Sequence, residues 1–274
     1  MKTRFAPSPT GLLHLGNIYS ALQCESWAKE HDAELSLRIE DIDFTRCKPE
    51  FTQQIIEDLR WVGITFDDKV VFQSERHHFY QAALDKLIAM DVLYPCFCTR
   101  KQIKKNIKKS NVAQLDDYPK TCLSLNAKQA KRRMQDEAFS WRLDSTKVEG
   151  LLGKELSWSG SKSHLFNVSM VGDVIIGRKD IGFSYHLAVV VDDEVQKITH
   201  IIRGEDLRSS TPVHRILQLL LGYHEPKYIH HKLLNETGDM KLSKGNQSLS
   251  LKSLRDQGLS VEAIKQIIKK TNLS

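Results

Sequence analysis

Two segments far apart in the chain carry residue types suited to phosphate chemistry. The first is Pro7-Ser8-Pro9-Thr10-Gly11-Leu12-Leu13-His14-Leu15-Gly16-Asn17. Its glycines let a nucleotide approach the backbone, and a helix starting just after it would offer amide N–H groups and a positive dipole end to phosphate. His14 adds a hydrogen-bond donor. The second is Lys241-Leu242-Ser243-Lys244-Gly245, where two lysines around a serine could clamp a triphosphate and stabilise charge building on phosphorus. Taken singly, each also reads as ordinary: a strand-to-helix turn with a satisfied histidine, and a solvated basic loop. A third group, Cys96-Phe97-Cys98 with Tyr118 and Cys122, has spacing that could hold one zinc ion through three thiolates and a phenol oxygen. Three reduced structural cysteines are the plain alternative.

The elements that must position these residues follow from the hydrophobic pattern. Arg4-Phe5-Ala6 reads as a first strand, and two prolines and a glycine break regular structure after it. Ile18, Ala21, Leu22 and Ala28 fall on one side of a helix, and Leu35-Ser36-Leu37-Arg38-Ile39 alternates as a strand. Ile55, Leu59 and Val62 mark a second helix stopped by Gly63, and a third covers 79–90. This strand–turn–helix–strand order is a βαβ unit and predicts a parallel sheet. The stretch 93–173 is irregular. Apolar runs at 171–177, 185–191 and 198–202 read as strands, a stripe from Val213 to Leu221 as a helix, and Val261, Ile264, Ile267 and Ile268 as a short amphipathic helix.

The chain has 274 residues and a net charge of +6, with 41% hydrophobic and 27% charged residues. That is the balance of a folded water-soluble protein of about two domains. The five-residue run Leu187-Ala188-Val189-Val190-Val191 is far too short to span a bilayer. The N-terminus lacks the apolar core of a signal peptide, so a cytoplasmic protein with no membrane partner is expected. Five cysteines in a reducing compartment argue against a disulfide framework. Cys24 and Cys47 stand apart from the others and read as ordinary thiols. Basic runs at Arg100, Lys101, Lys104, Lys105, Lys108 and Lys109, and at Lys131-Arg132-Arg133, are either solvated faces or phosphate contacts.

Together the first two segments resemble the HIGH and KMSKS signatures of class I aminoacyl-tRNA synthetases, written here as His-Leu-Gly-Asn and Lys-Leu-Ser-Lys-Gly. The strings from Arg4 to Gly11, Arg38-Ile39-Glu40-Asp41-Ile42-Asp43 and Arg203-Gly204-Glu205-Asp206-Leu207 resemble the glutamyl branch of that class. The resemblance implies a Rossmann-like α/β catalytic domain with a parallel sheet, discontinuous over 1–92 and 174–245. It implies an inserted zinc-containing module at 93–173, held on Cys96, Cys98, Tyr118 and Cys122, and a short helical tail at 246–274. His14 and Lys244 would be catalytic. Gly16, Asn17, Lys241 and Ser243 would join them around ATP, which brings Mg2+. Arg4, Phe5, Ala6, Pro7, Ser8, Glu40, Tyr185 and Arg203 would surround glutamate. Arg4 would pair with a substrate carboxylate and Glu40 with the α-ammonium. Asn17 stands where the signature has its second histidine.

Only 29 residues follow Gly245, too few for a helical anticodon-binding domain. A synthetase shortened in this way is similar to the glutamyl-Q tRNA(Asp) synthetase family. That resemblance implies a monomer that activates glutamate with ATP and transfers it to queuosine in the anticodon stem-loop of tRNA(Asp). Other readings are a ligase acting on a tRNA 3′ end, a catalytically idle RNA-binding paralogue, and a nucleotidyltransferase on the same fold.

Overall fold

The structure is a computed structural model that describes residues 1–109, 118–234 and 250–273. In chain order its elements are β1 (Lys2–Phe5), α1 (Leu15–Glu30), β2 (Glu34–Ile39), α2 (Pro49–Val62), β3 (Val71–Phe72), α3 (His77–Ala89), β4 (Leu93–Cys96) and α4 (Arg100–Lys109). There follow α5 (Ala127–Asp136), β5 (Ser140–Leu143), α6 (Ser145–Leu152), β6 (Glu155–Ser159), β7 (Ser163–Asn167), β8 (Ile175–Arg178), β9 (Gly182–Phe183) and α7 (Tyr185–Val195). The last are β10 (His200–Gly204), α8 (Thr211–Leu221), β11 (Lys227–His231), α9 (Leu251–Asp256) and α10 (Val261–Leu273).

The chain forms two compact units. The first takes Met1–Glu75, Lys197–Ser209 and Pro226–Ser274, and the second Arg76–Gln196 and Ser210–Glu225. The expected insert, 93–173, falls within the second unit. The expected tail adds Leu251, Leu254, Ile264 and Ile268 to the core of the first.

In the first unit β1, β2 and β3 pair in parallel, with Phe5 opposite Leu37 and Arg38 opposite Val71. β10 and β11 are also parallel, with Arg203 opposite His230. β10 lies beside β1: the Thr199 amide donates to the Lys2 carbonyl at 3.0 Å, and the Cys24 thiol reaches the carbonyls of both Arg4 and Ile202. β2 is buried at every position after Glu34, as expected where helices cover both faces of a parallel sheet. α2 begins with Pro49 and ends on Gly63 in the left-handed region at φ 86°, a conformation glycine adopts without strain.

The second unit is different. β4, β5, β8 and β9 form an antiparallel sheet in that order, and β6 and β7 form a separate hairpin. The described part of the stretch read as irregular is thus regular, built of short strands and helices. One reading is corrected outright: 185–191 is helical, the body of α7, and not a strand. Residues Leu187 to Asp193 are all buried, so the helical period leaves no polar face to read. A short apolar run then looks alike in either state. The decisive local signal is Ser184, whose Oγ accepts the Leu187 amide as an N-cap.

Candidate active site and candidate metal centre

The carboxyl ends of β1, β2 and β10 bring together most of the expected glutamate residues. Arg4 and Arg203 are each only 4% exposed, and Glu40, just past β2, is 7% exposed. Arg38, fully buried, places Nη2 3.2 Å from Glu40 Oε1. Arg203 donates from Nε to His230 Nε2 at 3.3 Å and stacks over Tyr228. Three buried guanidiniums thus stand with one buried carboxylate at this end of the sheet. Buried guanidiniums beside a buried carboxylate are groups suited to a ligand that carries carboxylates and an ammonium group. Ligands of open α/β sheets bind at the carboxyl ends of strands. Phe5 and Pro7 are buried, Ala6 is half-buried and Ser8 is exposed. The Pro7 carbonyl accepts the Glu40 amide at 2.9 Å, which ties the turn after β1 to the end of β2.

The same turn leads into α1. His14 is the N-cap: its Nδ1 accepts the Gly16 amide at 3.1 Å, and the Asn17 side chain accepts the His14 amide at 3.1 Å. With Nδ1 an acceptor, the neutral ring carries its proton on Nε2. His14 also forms an antiparallel bridge with Ser250, and the Leu13 carbonyl accepts the Leu251 amide at 2.7 Å. Lys241, Ser243 and Lys244 lie outside the described residues. Tyr185 belongs to the second unit, as the first residue of α7.

The candidate metal ligands also come together. The Sγ atoms of Cys96, Cys98 and Cys122 lie within 4.8 Å of one another. Cys98 Sγ is 3.6 Å from Cys122 Sγ, and Tyr118 Oη is 3.2 Å from Cys96 Sγ and 3.6 Å from Cys98 Sγ. A tetrahedral zinc with bonds of about 2.3 Å needs sulfur donors roughly 3.8 Å apart, so three soft sulfurs and one harder phenol oxygen sit close to the separation zinc requires. The Phe97 amide donates to Cys122 Sγ and the Cys122 amide to Tyr118 Oη. Hydrogen bonds from Cys122, then Tyr118 and Arg142, outweigh burial and pull the Cys96 thiol down to about 4. The Cys122 thiol is pushed up, chiefly by its hydrogen bond with Cys96. One sulfur of the cluster is therefore ready as a thiolate, the form that binds metal. Cys24, by contrast, is fully buried and pushed up to about 12 by that burial. Cys47 is raised by partial burial too. Both fit ordinary thiols.

Several site residues carried no legible signal. Arg38 reads as one polar position in an alternating strand, and its pairing with Glu40 needs the strand end to be seen. His230 meets Arg203 only through the parallel register of β10 and β11. Arg142 lies over Tyr118, its guanidinium carbon 3.7 Å from the ring centroid, because β5 pairs with β4 beside the cysteines.

This geometry defines a class as well as a site. The sequence model described as "tRNA synthetases class I (E and Q), catalytic domain" matches residues 1–274. The glutamyl-Q tRNA(Asp) synthetase of Rhodobacter capsulatus is 36% identical, over 98% of this chain and 99% of its own. The glutamate–tRNA ligase of Aquifex aeolicus is 34% identical over 96% of this chain, which spans only 55% of that longer protein. A crystal structure of a glutamate tRNA ligase from Elizabethkingia meningosepticum in complex with its amino acid superposes with a TM-score of 0.76 at 26% identity, covering 94% of this chain and 53% of that one. The chain belongs to the class I tRNA synthetases for glutamate and glutamine, and it is an enzyme of the ligase type. No helix among the described residues is long and apolar enough to cross a membrane.

Proposed function

We propose that this protein activates L-glutamate with ATP and transfers it to the queuosine base in the anticodon stem-loop of tRNA(Asp), acting as a single chain in the cytoplasm. The observation that carries the first half is the set of buried residues Arg4, Arg38, Glu40 and Arg203 at the strand ends, with Arg38 paired to Glu40. In this reading Arg4 takes a substrate carboxylate, Glu40 takes the α-ammonium, and Tyr185 and Arg203 complete the pocket. The likeness to the glutamyl-Q tRNA(Asp) synthetase of Rhodobacter capsulatus, 36% identical to this chain, favours the second half.

The chemistry follows from these positions. The α-carboxylate of glutamate attacks the α-phosphorus of ATP, and pyrophosphate leaves. His14 Nε2, the amino end of α1 and Lys244 stabilise the charge that develops on the phosphoryl oxygens. Gly16 leaves room at the helix start, while Asn17 holds the histidine backbone in place. Lys241 and Ser243 steady the triphosphate, which carries its own Mg2+. A queuosine hydroxyl then attacks the mixed anhydride and AMP departs. The enzyme contributes positioning and electrostatics, with no covalent intermediate. Cys96, Cys98, Tyr118 and Cys122 would hold one structural zinc, which fixes the loops around it.

The test is transfer of labelled glutamate to three RNAs: tRNA(Asp) with queuosine, tRNA(Asp) with guanosine at that position, and tRNA(Glu). Label on the queuosine form alone is expected. Label on tRNA(Glu) would instead make the protein a 3′-end ligase, and no label on any RNA would leave an idle binder.

A further inference from the structure

Beside the cysteine cluster, and wholly within the second unit, lies a cavity of about 440 Å³ whose walls include Arg100, Arg142, Arg178, Tyr118, Tyr185 and His186. Its size is that of a small-ligand site, and its lining is rich in guanidinium groups. Its one carboxylate, Asp173, is 3% exposed and fully engaged: it accepts from Tyr94 Oη at 2.7 Å and Ser145 Oγ at 2.6 Å, and pairs with Lys120 at 3.1 Å. It is outnumbered by the three arginines of the wall. Arg178 is held in a two-point pair with Asp180, at 2.9 and 2.6 Å, which fixes the direction of its side chain. Arg100 opens the basic helix α4, is exposed, and has no carboxylate partner among the described residues.

Arg142 is 7% exposed and is held at the cavity wall by its Nη1, which donates to the Asp173 carbonyl at 2.6 Å. The wall also includes Ser184, Tyr185 and His186, the cap and first turn of the eleven-residue helix α7, whose positive dipole end favours negative charge. A glutamate carboxylate does not account for this lining, since the buried arginines of the first unit already supply that site.

We propose that this cavity binds a phosphodiester of the RNA that receives glutamate, through Arg100, Arg142 and Arg178. The assignment rests on the proposed function, because Tyr185 on the cavity wall is also a glutamate residue there. It gives the second unit a direct part in RNA recognition. The basic helix α4, which carries Lys101, Lys104 and Lys105, then extends the same positive surface outward from the cavity.

The experiment uses the full chain and a fluorescent queuosine-containing anticodon stem-loop. Wild type, Arg100→Gln/Arg178→Gln and, as a control for general charge, Lys128→Gln/Lys131→Gln on α5 are compared by anisotropy over a salt series. The arginine pair is expected to raise the dissociation constant about tenfold. It should also lower the log–log salt slope by roughly 0.7, the share of one single-strand phosphate. Glutamate-dependent pyrophosphate exchange should stay at the wild-type rate, and the lysine pair should have a clearly smaller effect. Equal losses in both pairs, an unchanged constant in the arginine pair, or no binding by the wild type would each overturn the cavity as the RNA site. Wild-type binding without glutamate transfer would refute the proposed function while leaving the cavity result readable.

Discussion

His14 accepts the amide of Gly16 through Nδ1 at 3.1 Å, so the histidine of the phosphate turn is also the cap of the helix it precedes. The cap fixes the tautomer, and the tautomer aims a proton outward from Nε2. Gly16 makes this possible: a Cβ there would stand 3.0 Å from His14 Cε1 and 3.1 Å from Nδ1. The two roles separate by substitution. His14→Asn supplies a cap oxygen of equal quality, so thermal stability should stay near wild type. Pyrophosphate exchange should still fall about 100-fold, the usual cost of removing one donor to a transition-state oxyanion. His14→Ala should lose the same activity and about 1 kcal/mol of stability besides. Wild-type exchange in His14→Asn would remove the histidine from the chemistry.

Glu40 is held against fully buried Arg38, one residue before Ile39 and two before Glu40 itself. Glu40→Gln keeps the shape and removes the charge. The expected result is a rise of 30-fold or more in KM for glutamate, matching the 2–5 kcal/mol lost when one member of a buried charged pair is truncated. The KM for ATP should change little. Steady-state exchange with each substrate varied in turn reads both values.

How much of this was legible in the sequence depended on how local each signal is. The turn before α1 was readable because prolines, glycines and His14 sit side by side. The parallel pairing of β1 with β2 followed from the spacing of strand, turn and helix. The cysteines were readable as a group because Cys96 and Cys98 are one residue apart. Tyr185 is placed by resemblance alone, and its helix reads as a strand, since burial on every side hides helical periodicity in α7. Arg38, His230 and Arg142 matter through partners in other strands, and a linear pattern does not display register. The arginine cavity is the extreme case: Arg100, Arg142 and Arg178 are spread over 79 positions and meet only through the antiparallel sheet of β4, β5 and β8.

The cysteine cluster yields a prediction on metal content. Atomic spectroscopy of the purified protein should find one zinc per chain, and Cys122→Ser should lose it. Removal of zinc by a chelator should lower the melting temperature, because the hydrophobic packing around the cluster is small: Tyr94, Phe97 and three of the ligands, Cys96, Tyr118 and Cys122, are its buried members. Metal binding displaces thiol protons, so zinc retention should weaken as pH falls. Arg142→Gln should speed release about 10-fold or more by removing a cation from beside Cys96 and Tyr118. Metal-free protein with an unchanged melting curve would reduce the cluster to three structural thiols.

A last prediction concerns acid stability of the first unit. Trp27 on α1 stacks on His31 and meets the His200 ring at a tilt of 33°, each with ring centroids 4.4 Å away. Burial, and then the charges of Lys227, His31 and the N-terminal amine, hold the His200 imidazolium below the ordinary histidine range. The unfolded chain therefore takes up this proton more readily than the folded one. Stability from this residue is fully present above about pH 6.5, the ordinary histidine value, and is lost as pH falls through the lowered value in the fold. Urea unfolding at pH 7.5, 6.5, 5.5 and 5.0 should show wild type losing stability across that window. His200→Asn, which cannot take the proton, should show a shallower decline over the same window. Parallel curves for the two proteins would place the acid sensitivity in another group and leave the stacked Trp27 without a part in it.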